Sequence, residues 1–295
     1  MTKSYMHGIH SILTTPLTSD FMLDEAGLAR NVEFGATSNV HALVVLGTQG
    51  EFPSFNVEER KTAIRITAET AAGRKPVIAG SSDSNTWTSV ELTQYAQEVG
   101  AQAVLVTPPY FSQVNWKGVY QHFKTLNDNT DIDIIIYNAP ERAGFNVTPP
   151  MLAELAELKN INAVKQAGRN IIELEETVSQ VGDKMAVFGG SEAMMWPMLS
   201  IGMVGSSTTA ATFMPQYFVD MYEHAVAGRM AEGRAMYDAL ADLRVISKKH
   251  GHAAVVKKAS ELVGLAGGPV RPPLTTPSDE DVKDLRGILE KLGIL

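Results

Sequence analysis

Two side chains at the ends of apolar runs could carry out carbonyl chemistry. Lys165 follows the run 161–164, and Tyr137 ends the run 132–137. Burial of a lysine lowers its pKa because desolvation disfavours the ammonium form, and the neutral amine attacks carbonyl carbon. A tyrosine beside it could transfer protons as a general acid and base. A lysine that reaches solvent or pairs with a carboxylate, and a tyrosine that only fills space, are the structural alternatives.

Arg142 follows Tyr137 by five positions, in the segment 138–144. A guanidinium can hold a carboxylate through two parallel hydrogen bonds. The sequence therefore predicts a carboxylate-binding arginine here, with an exposed loop arginine as the alternative.

The segment Gly47-Thr48-Gln49-Gly50-Glu51 directly follows the apolar run 40–46. Its glycines permit a tight turn, and backbone N–H groups in such a turn can cradle a small carboxylate. A purely structural turn is the equally plain interpretation. After the run 103–106, the prolines of 107–109 stiffen a loop that would present Tyr110 at its tip.

Small residues lie at the carboxyl ends of the apolar runs 185–188 and 203–206, in the segments 189–192 and 205–207. Phosphate sites of barrels often lie at such positions, but no lysine or arginine accompanies these residues. We expect Gly190 and Ser206 to leave room for a substrate instead. The close histidine pairs at 7/10 and 250/252 lack a completing carboxylate, so no metal site is predicted.

Short apolar runs alternate with segments of helical periodicity. The runs are 8–13, 40–46, 76–79, 103–106, 132–137, 161–164, 185–188 and 203–206. Uninterrupted apolar runs are typical of parallel strands that are covered on both faces. Eight strands separated by helices predict an α/β protein with a (β/α)8 TIM barrel. The rival, a doubly wound open sheet, would carry a glycine-rich phosphate fingerprint after its first strand, and none is present.

Residues 1–212 are predicted to form the catalytic barrel domain, and residues 213–295 a helical region that completes and extends it. Helices are expected over 215–227, 231–250, 253–265 and 278–292. In a barrel, the carboxyl ends of the strands carry the chemistry. This polarity favours Lys165 as the nucleophilic lysine, because Lys75, Lys159 and Lys184 precede strands.

Composition narrows the function classes. The chain has 295 residues, no cysteine and a formal net charge of −8. Cysteine catalysis and cysteine metal sites are excluded, and an acidic balance disfavours nucleic-acid binding. The start of the chain has no apolar signal core and no run is long enough to span a bilayer, so we expect a cytoplasmic protein without membrane partners.

Taken together, these segments resemble the dihydrodipicolinate synthase and N-acetylneuraminate lyase family of pyruvate-type class I aldolases. Residues 47–51 are similar to its Gly-Thr/Ser-x-Gly-Glu motif, and Tyr137-Asn138-Ala139-Pro140 to its Tyr-Asn-x-Pro motif. Lys165 stands where the family has its Schiff-base lysine. The segment Arg271-Pro272-Pro273-Leu274 also resembles the family's sequence near its end. The order and spacing of the motifs cover essentially the whole chain.

The resemblance implies a role for each matching position. Lys165 would form an imine with pyruvate or another 2-keto acid, and Tyr137 would move protons at the reacting carbon. Thr48 would link Tyr137 to Tyr110, which arrives from a neighbouring subunit in a homotetramer. The backbone of Thr48 and Gln49 would hold the carboxylate of pyruvate. Arg142 would hold the carboxylate of an aldehyde substrate, and no cofactor is implied.

Some positions depart from the family pattern. Gln49 replaces a threonine, Pro109 replaces a tyrosine, and Phe52-Pro53 follows Glu51 where small residues are usual. The expected reaction is condensation of pyruvate with an aldehyde acid, as in the synthases. The alternative is an aldolase or dehydratase that acts on a 2-keto-3-deoxy sugar acid. A non-catalytic pyruvate-binding barrel and a flavin barrel are weaker alternatives, since Lys165 and Tyr137 are present and a basic phosphate grip is absent.

The lysine-regulated synthases bind free lysine in a pocket that uses a histidine, a glutamate and a tyrosine. Val57, Thr88 and Pro109 stand at the corresponding positions. The resemblance therefore implies that lysine feedback is absent here.

Overall fold

Eight parallel strands form a closed barrel in chain order, in a computed structural model that describes residue 3 and residues 5–295. The strands are β1 (Gly8–Ile12), β2 (Ala42–Val45), β3 (Val77–Gly80), β4 (Ala103–Val106), β5 (Asp133–Asn138), β6 (Ile161–Gln166), β7 (Ala186–Gly189) and β8 (Gly205–Thr208). Nearly every strand residue is buried, as expected for strands covered on both faces. The predicted (β/α)8 barrel is confirmed. Part of the stretch interpreted as lacking a signal core, residues 1, 2 and 4, lies outside the described residues.

Helices connect and follow the strands. The helices are α1 (Glu25–Thr37), α2 (Val57–Ala71), α3 (Thr86–Glu98), α4 (Trp116–Asn129), α5 (Pro140–Ala143), α6 (Pro149–Leu155), α7 (Ile171–Val181), α8 (Met195–Ser200), α9 (Pro215–Val226), α10 (Met230–Ala239), α11 (Ala241–His250), α12 (His252–Leu262) and α13 (Asp279–Lys291). Short 3₁₀ helices cover Thr48–Gly50, Phe52–Ser54, Glu192–Met194 and Ala210–Thr212. In the described part of the chain, no helix combines the length and apolar character that a membrane crossing needs.

Two compact units share the chain. The central unit contains the described residues up to Gly8 and Pro76–Ser207, and the flanking unit contains Ile9–Lys75 and Thr208–Leu295. The central unit holds β3 to β7 and most of β8, whereas the flanking unit holds β2, α1, α2 and the helices from α9 onward. The proposed domain boundary between residues 212 and 213 stays a prediction.

Helix α2 shows how local sequence sets an element's limits. Asn56 accepts a hydrogen bond at 2.9 Å from the backbone N–H of Glu59, whose carboxylate accepts one at 2.9 Å from the Asn56 N–H. This reciprocal capping box satisfies two otherwise orphaned donors. At the other end, Ala72 and Gly73 take left-handed conformations that stop the helix.

The single helix predicted over 231–250 is wrong in one respect, because the chain breaks between α10 and α11 at Leu240. The Leu240 N–H bonds to the carbonyl of Tyr237, in the manner of a 3₁₀ turn. The Tyr237 carbonyl also accepts a 2.6 Å hydrogen bond from Arg244, whose guanidinium covers the Tyr237 ring. These contacts stabilise a break that helical periodicity alone does not reveal.

Candidate active site

Lys165 and Tyr137 lie side by side on neighbouring strands of the central unit. They are direct register partners between β6 and β5. Only 2% of Lys165 and 6% of Tyr137 is exposed, and the Lys165 Nζ lies 4.2 Å from the centroid of the tyrosine ring. Strand β6 runs two residues further than predicted, so Lys165 lies inside the strand. A position within a strand fixes its backbone more firmly than a loop would.

Burial lowers the pKa of the Lys165 ammonium, and this desolvation is the largest influence on it. Charge on Tyr137 raises that pKa, the Arg142 guanidinium lowers it and the Glu192 carboxylate raises it. A lowered pKa increases the fraction of neutral amine at a given pH. The site can therefore present a nucleophilic amine next to a phenol that exchanges protons.

Gly190 borders the stem of Lys165. A Cβ atom placed on Gly190 would lie 3.0 Å from Cε and 3.1 Å from Cγ of Lys165, and 2.9 Å from the carbonyl oxygen of Gln166. The Gly190 N–H donates to that carbonyl at 2.7 Å. This glycine, which was expected to leave room for a substrate, thus has the catalytic candidate lysine as its immediate neighbour.

Ser206 is fully buried on β8, and its hydroxyl donates to the carbonyl of Gly189 at 3.3 Å. Its side chain therefore faces the end of β7. The structure places it in the central unit with Lys165, Tyr137 and Gly190, as the barrel order requires.

An amide network supports the two strands behind the lysine and the tyrosine, and the sequence analysis missed its role. The buried Asn138 side chain donates to Asn146 Oδ1 at 3.0 Å, to the Val147 carbonyl at 2.9 Å and to Gln166 Oε1 at 2.9 Å. Its own oxygen accepts from the Val147 N–H at 3.0 Å. Asn138 and Gln166 each follow one of the two candidate residues, so the network couples the two strand ends. The available signal was the amide directly after each of them.

Arg142 is exposed on α5, the short helix that Pro140 begins. Beside it, Glu141 pairs with Arg169 at 3.2 Å, and both of those side chains are exposed. Arg142 is close enough to Lys165 for its charge to lower the lysine's pKa. The position fits a group that meets the outer end of a substrate.

Tyr110 is half-buried after β4, and the next residue, Phe111, is completely exposed. Phe111 has a φ of 73°, in the left-handed region that non-glycine residues rarely adopt. The loop thus holds an apolar ring outward in an unfavourable backbone conformation.

In the flanking unit, Thr48 and Gln49 form a 3₁₀ turn with Gly50. The internal hydrogen bonds of the turn use the N–H groups of Gly50 and Glu51, which donate to Gly47 and Thr48 carbonyls at 2.9 and 3.1 Å. A Cβ on Gly47 would lie 2.9 Å from the Ile12 side chain. The tight turn that the glycines predicted is therefore present.

A buried ion pair lies directly behind this turn, and the sequence analysis did not anticipate it. Lys257 on α12 places its Nζ 2.5 Å from Glu51 Oε1, and both side chains are fully buried. Lys257 also donates to the Pro269 carbonyl at 2.7 Å, and Glu51 Oε2 accepts from the Arg271 N–H at 2.8 Å. Burial is the largest influence on the Lys257 pKa and lowers it, while Glu51 opposes the shift. No sequence periodicity indicates that residues 51 and 257 are neighbours.

Among residue 3 and residues 5–295, no group of three or more His, Asp or Glu side chains is placed to hold a metal ion. The candidate chemistry described above uses an amine, a phenol and backbone or guanidinium donors.

Comparison with known proteins gives consistent similarities over the full length. The model of the dihydrodipicolinate synthetase family matches residues 5–292. The 4-hydroxy-tetrahydrodipicolinate synthase of Methanothrix thermoacetophila is 33% identical over 289 residues, which cover 98% of this chain and 97% of that protein.

Solved structures are similar as well. The dihydrodipicolinate synthase of Aquifex aeolicus has a TM-score of 0.93 and 32% identity, with 98% of each chain covered. The synthase of Cyanidioschyzon merolae, solved with lysine bound, has a TM-score of 0.94 and 26% identity, with 99% of this chain and 100% of that chain covered.

Proposed function

Because the chain belongs to the dihydrodipicolinate synthetase family, we propose that it is a Schiff-base-forming lyase that condenses pyruvate with an aldehyde acid. The relatives that support this reaction are the 4-hydroxy-tetrahydrodipicolinate synthases, which match over nearly the whole chain. The observation that carries the proposal is the buried Lys165 amine beside the ring of Tyr137. The roles of the individual residues are proposals.

In the proposed reaction, the neutral Lys165 amine attacks the ketone carbon of pyruvate, and loss of water gives an imine. The imine draws electrons from the neighbouring methyl group, which loses a proton and becomes a carbon nucleophile. This carbon attacks the aldehyde, and the aldehyde oxygen takes up a proton. Tyr137 is the proposed proton carrier because its phenol lies beside the amine.

Borohydride trapping tests the covalent step. Incubation with pyruvate and borohydride should add a reduced three-carbon group to Lys165, located by peptide mass spectrometry. Lys165→Ala should lose the adduct and nearly all turnover while keeping its circular dichroism spectrum. Attachment of the adduct to another lysine, with Lys257 as the other buried candidate, would contradict the assignment.

Turnover against a substrate panel identifies the second substrate. We expect condensation of pyruvate with aspartate semialdehyde. The second candidate, cleavage or dehydration of a 2-keto-3-deoxy sugar acid, is favoured by Gln49, whose amide could bind sugar hydroxyls. Efficient use of a keto-deoxy sugar acid, with aspartate semialdehyde ignored, would establish that alternative.

Arg142 is proposed to bind the carboxylate of the aldehyde acid. Arg142→Ala should keep trapping with pyruvate at a pH above the midpoint for imine formation, but should lower kcat/KM for aspartate semialdehyde roughly 10- to 200-fold, because a charge-assisted contact contributes about 1.5–3 kcal/mol. Arg169→Ala is the matched control, since it removes an exposed arginine that pairs with neighbouring Glu141. Equal losses in the two variants would contradict a specific role for Arg142.

We also propose a cytoplasmic homotetramer in which Tyr110 contributes across a subunit interface. The outward, strained Phe111 beside Tyr110 supports a loop that meets another surface. Sedimentation at assay concentration should show an oligomer, and Tyr110→Phe should lower kcat without dissociating it. A fully active monomer would contradict this assembly, and cell fractionation tests the location.

We also propose that substrate binding uses Thr48, Gln49, Gly190 and Ser206. Thr48→Val is the most direct test, because it keeps the side-chain shape and removes only the hydroxyl. A large loss of kcat would support a part in proton transfer.

A further inference from the structure

We propose that Lys257 and Glu51 are positioning residues, which act together to hold the turn Thr48–Gly50 in the shape that binds the carboxylate of pyruvate. This inference rests on the proposed function, because it assigns a task to the turn that pyruvate binding requires. It concerns two residues of the flanking unit, whereas the amine and the phenol belong to the central unit.

Glu51 lies at the joint between two consecutive 3₁₀ helices. It ends the turn Thr48–Gly50 and precedes Phe52–Ser54, and it has a left-handed backbone with φ 57° and ψ 29°. A non-glycine residue in this region is unfavourable unless its surroundings hold it there. The contacts of the Glu51 side chain therefore fix the backbone of the turn.

Both oxygens of the Glu51 carboxylate have a partner. Lys257 Nζ lies 2.5 Å from Oε1, and the Arg271 N–H donates to Oε2 at 2.8 Å. Lys257 itself is fixed by the Pro269 carbonyl at 2.7 Å. Since both side chains are buried, neither partner can be replaced by water without cost.

The same C-terminal segment also grips the far side of the turn pair. The Arg271 guanidinium donates to the Ser54 carbonyl at 2.6 Å, pairs with Glu59 and lies 4.2 Å from the centroid of the Phe55 ring. Residues 48–55 are thus anchored at the joint and at the end. Of these contacts, those of Glu51 are nearest in the chain to the amides of Thr48 and Gln49.

A buried ion pair is a poor device for stability alone, because apolar residues of similar size often serve as well. The hydrogen bonds of its two members to the Pro269 carbonyl and the Arg271 N–H suit a different task, the fixing of a backbone segment to within fractions of an ångström. A displacement of about 1 Å in a binding group can change activity roughly 100-fold. This is the reason to assign the pair to substrate binding.

The test compares Glu51→Gln, Lys257→Met and the double variant with the wild type in steady-state kinetics and thermal unfolding. Both single variants should raise the KM for pyruvate roughly 10- to 100-fold, with a smaller change in kcat. Glu51→Gln keeps the size of the side chain and an acceptor for Lys257, so it remains informative if Lys257→Met does not fold.

The double variant separates positioning from stability. It removes both buried charges, so its Tm should recover toward the wild-type value, whereas its KM for pyruvate should stay raised because the turn is no longer tied to α12. Asn31→Ala is the matched control: it breaks two hydrogen bonds to Ala266 in the same unit and should lower Tm with KM unchanged.

Folded single variants with a wild-type KM would overturn the inference and leave the proposed function intact. A KM that follows Tm across all variants, including Asn31→Ala, would also overturn it, since the pair would then serve stability alone. A wild-type protein that neither traps nor turns over pyruvate would overturn the proposed function and this inference with it.

Discussion

At the scale of single residues, burial alone does not distinguish a nucleophilic lysine. Lys165 and Lys257 are both buried, and burial lowers the pKa of each. The difference lies in their neighbours: Lys257 has the carboxylate of Glu51 at 2.5 Å, and Lys165 has the ring of Tyr137. A carboxylate at that distance stabilises the ammonium form, which is not nucleophilic.

The charges around Lys165 predict a signed pH dependence. Imine formation requires the neutral amine, so its rate should rise with pH and reach its midpoint below the ~10.4 of a free lysine. Glu192→Gln removes a carboxylate that raises the pKa and should move the midpoint to lower pH. Arg142→Gln removes a cation that lowers it and should move the midpoint to higher pH.

Single-turnover trapping with pyruvate, followed across pH, measures both midpoints. Shifts of the same sign in the two variants would show that these charges do not act on the amine of Lys165.

Gly190→Ala should disturb the lysine directly. The added Cβ would lie 2.9 Å from the Gln166 carbonyl oxygen and 3.0 Å from Lys165 Cε, so the backbone next to the lysine must shift and the lysine side chain must give way slightly. The trapping rate should fall roughly 10- to 100-fold because the amine is misplaced. Gly168→Ala is the control, since its Cβ would meet nothing within 4 Å, and it should trap at the wild-type rate.

At the scale of elements, strands β5 and β6 present Tyr137 and Lys165 as register partners. A one-residue slip between two strands would turn one of these side chains to the other face. The Asn138 network is the feature that joins the two strand ends just beyond the pair. It thereby helps to fix the register on which the candidate chemistry depends.

Asn138→Ala should lower the free energy of unfolding by on the order of 3 kcal/mol, because it removes the partner of buried groups on Val147 and Gln166 and of a half-buried group on Asn146. Urea denaturation measures the loss. Asn129→Ala, which removes an exposed amide with one local hydrogen bond, should change stability by less than about 0.5 kcal/mol. A similar small loss for both would contradict the structural role of Asn138.

The elements could be predicted to within a few residues because apolar runs and caps are local signals. The end of β6 was placed two residues early, since Lys165 and Gln166 are polar although the strand buries both. Helical periodicity does not predict the break at Leu240, because contacts of the Arg244 side chain with Tyr237 stabilise it. The Glu51–Lys257 pair could not be predicted, because it joins distant positions: the motif 47–51 marks Glu51, but no local pattern marks Lys257 as its partner.

At the scale of the whole molecule, the absence of lysine feedback is a testable expectation. Free lysine carries an ammonium and a carboxylate, and Val57, Thr88 and Pro109 offer no charge to meet them. Each lost charged contact is typically worth about 1.5–3 kcal/mol. Millimolar lysine should therefore leave the steady-state rate unchanged.

The C. merolae synthase, which was solved with lysine bound, provides a comparison with a lysine-binding protein in the same assay. Clear inhibition of the present protein by lysine would show that other residues supply the missing contacts.

The contact between Glu51 and Arg271 spans 220 positions of the chain, and this has a consequence for biosynthesis. The turn Thr48–Gly50 leaves the ribosome first, and the groups that hold its joint, from α12 and the segment after it, are made only some 220 residues later. A nascent chain therefore carries an untethered turn until α12 and Arg271 have been made. If the turn binds pyruvate as proposed, a nascent chain that lacks these groups is expected to bind pyruvate weakly, even when most of the barrel strands have been made.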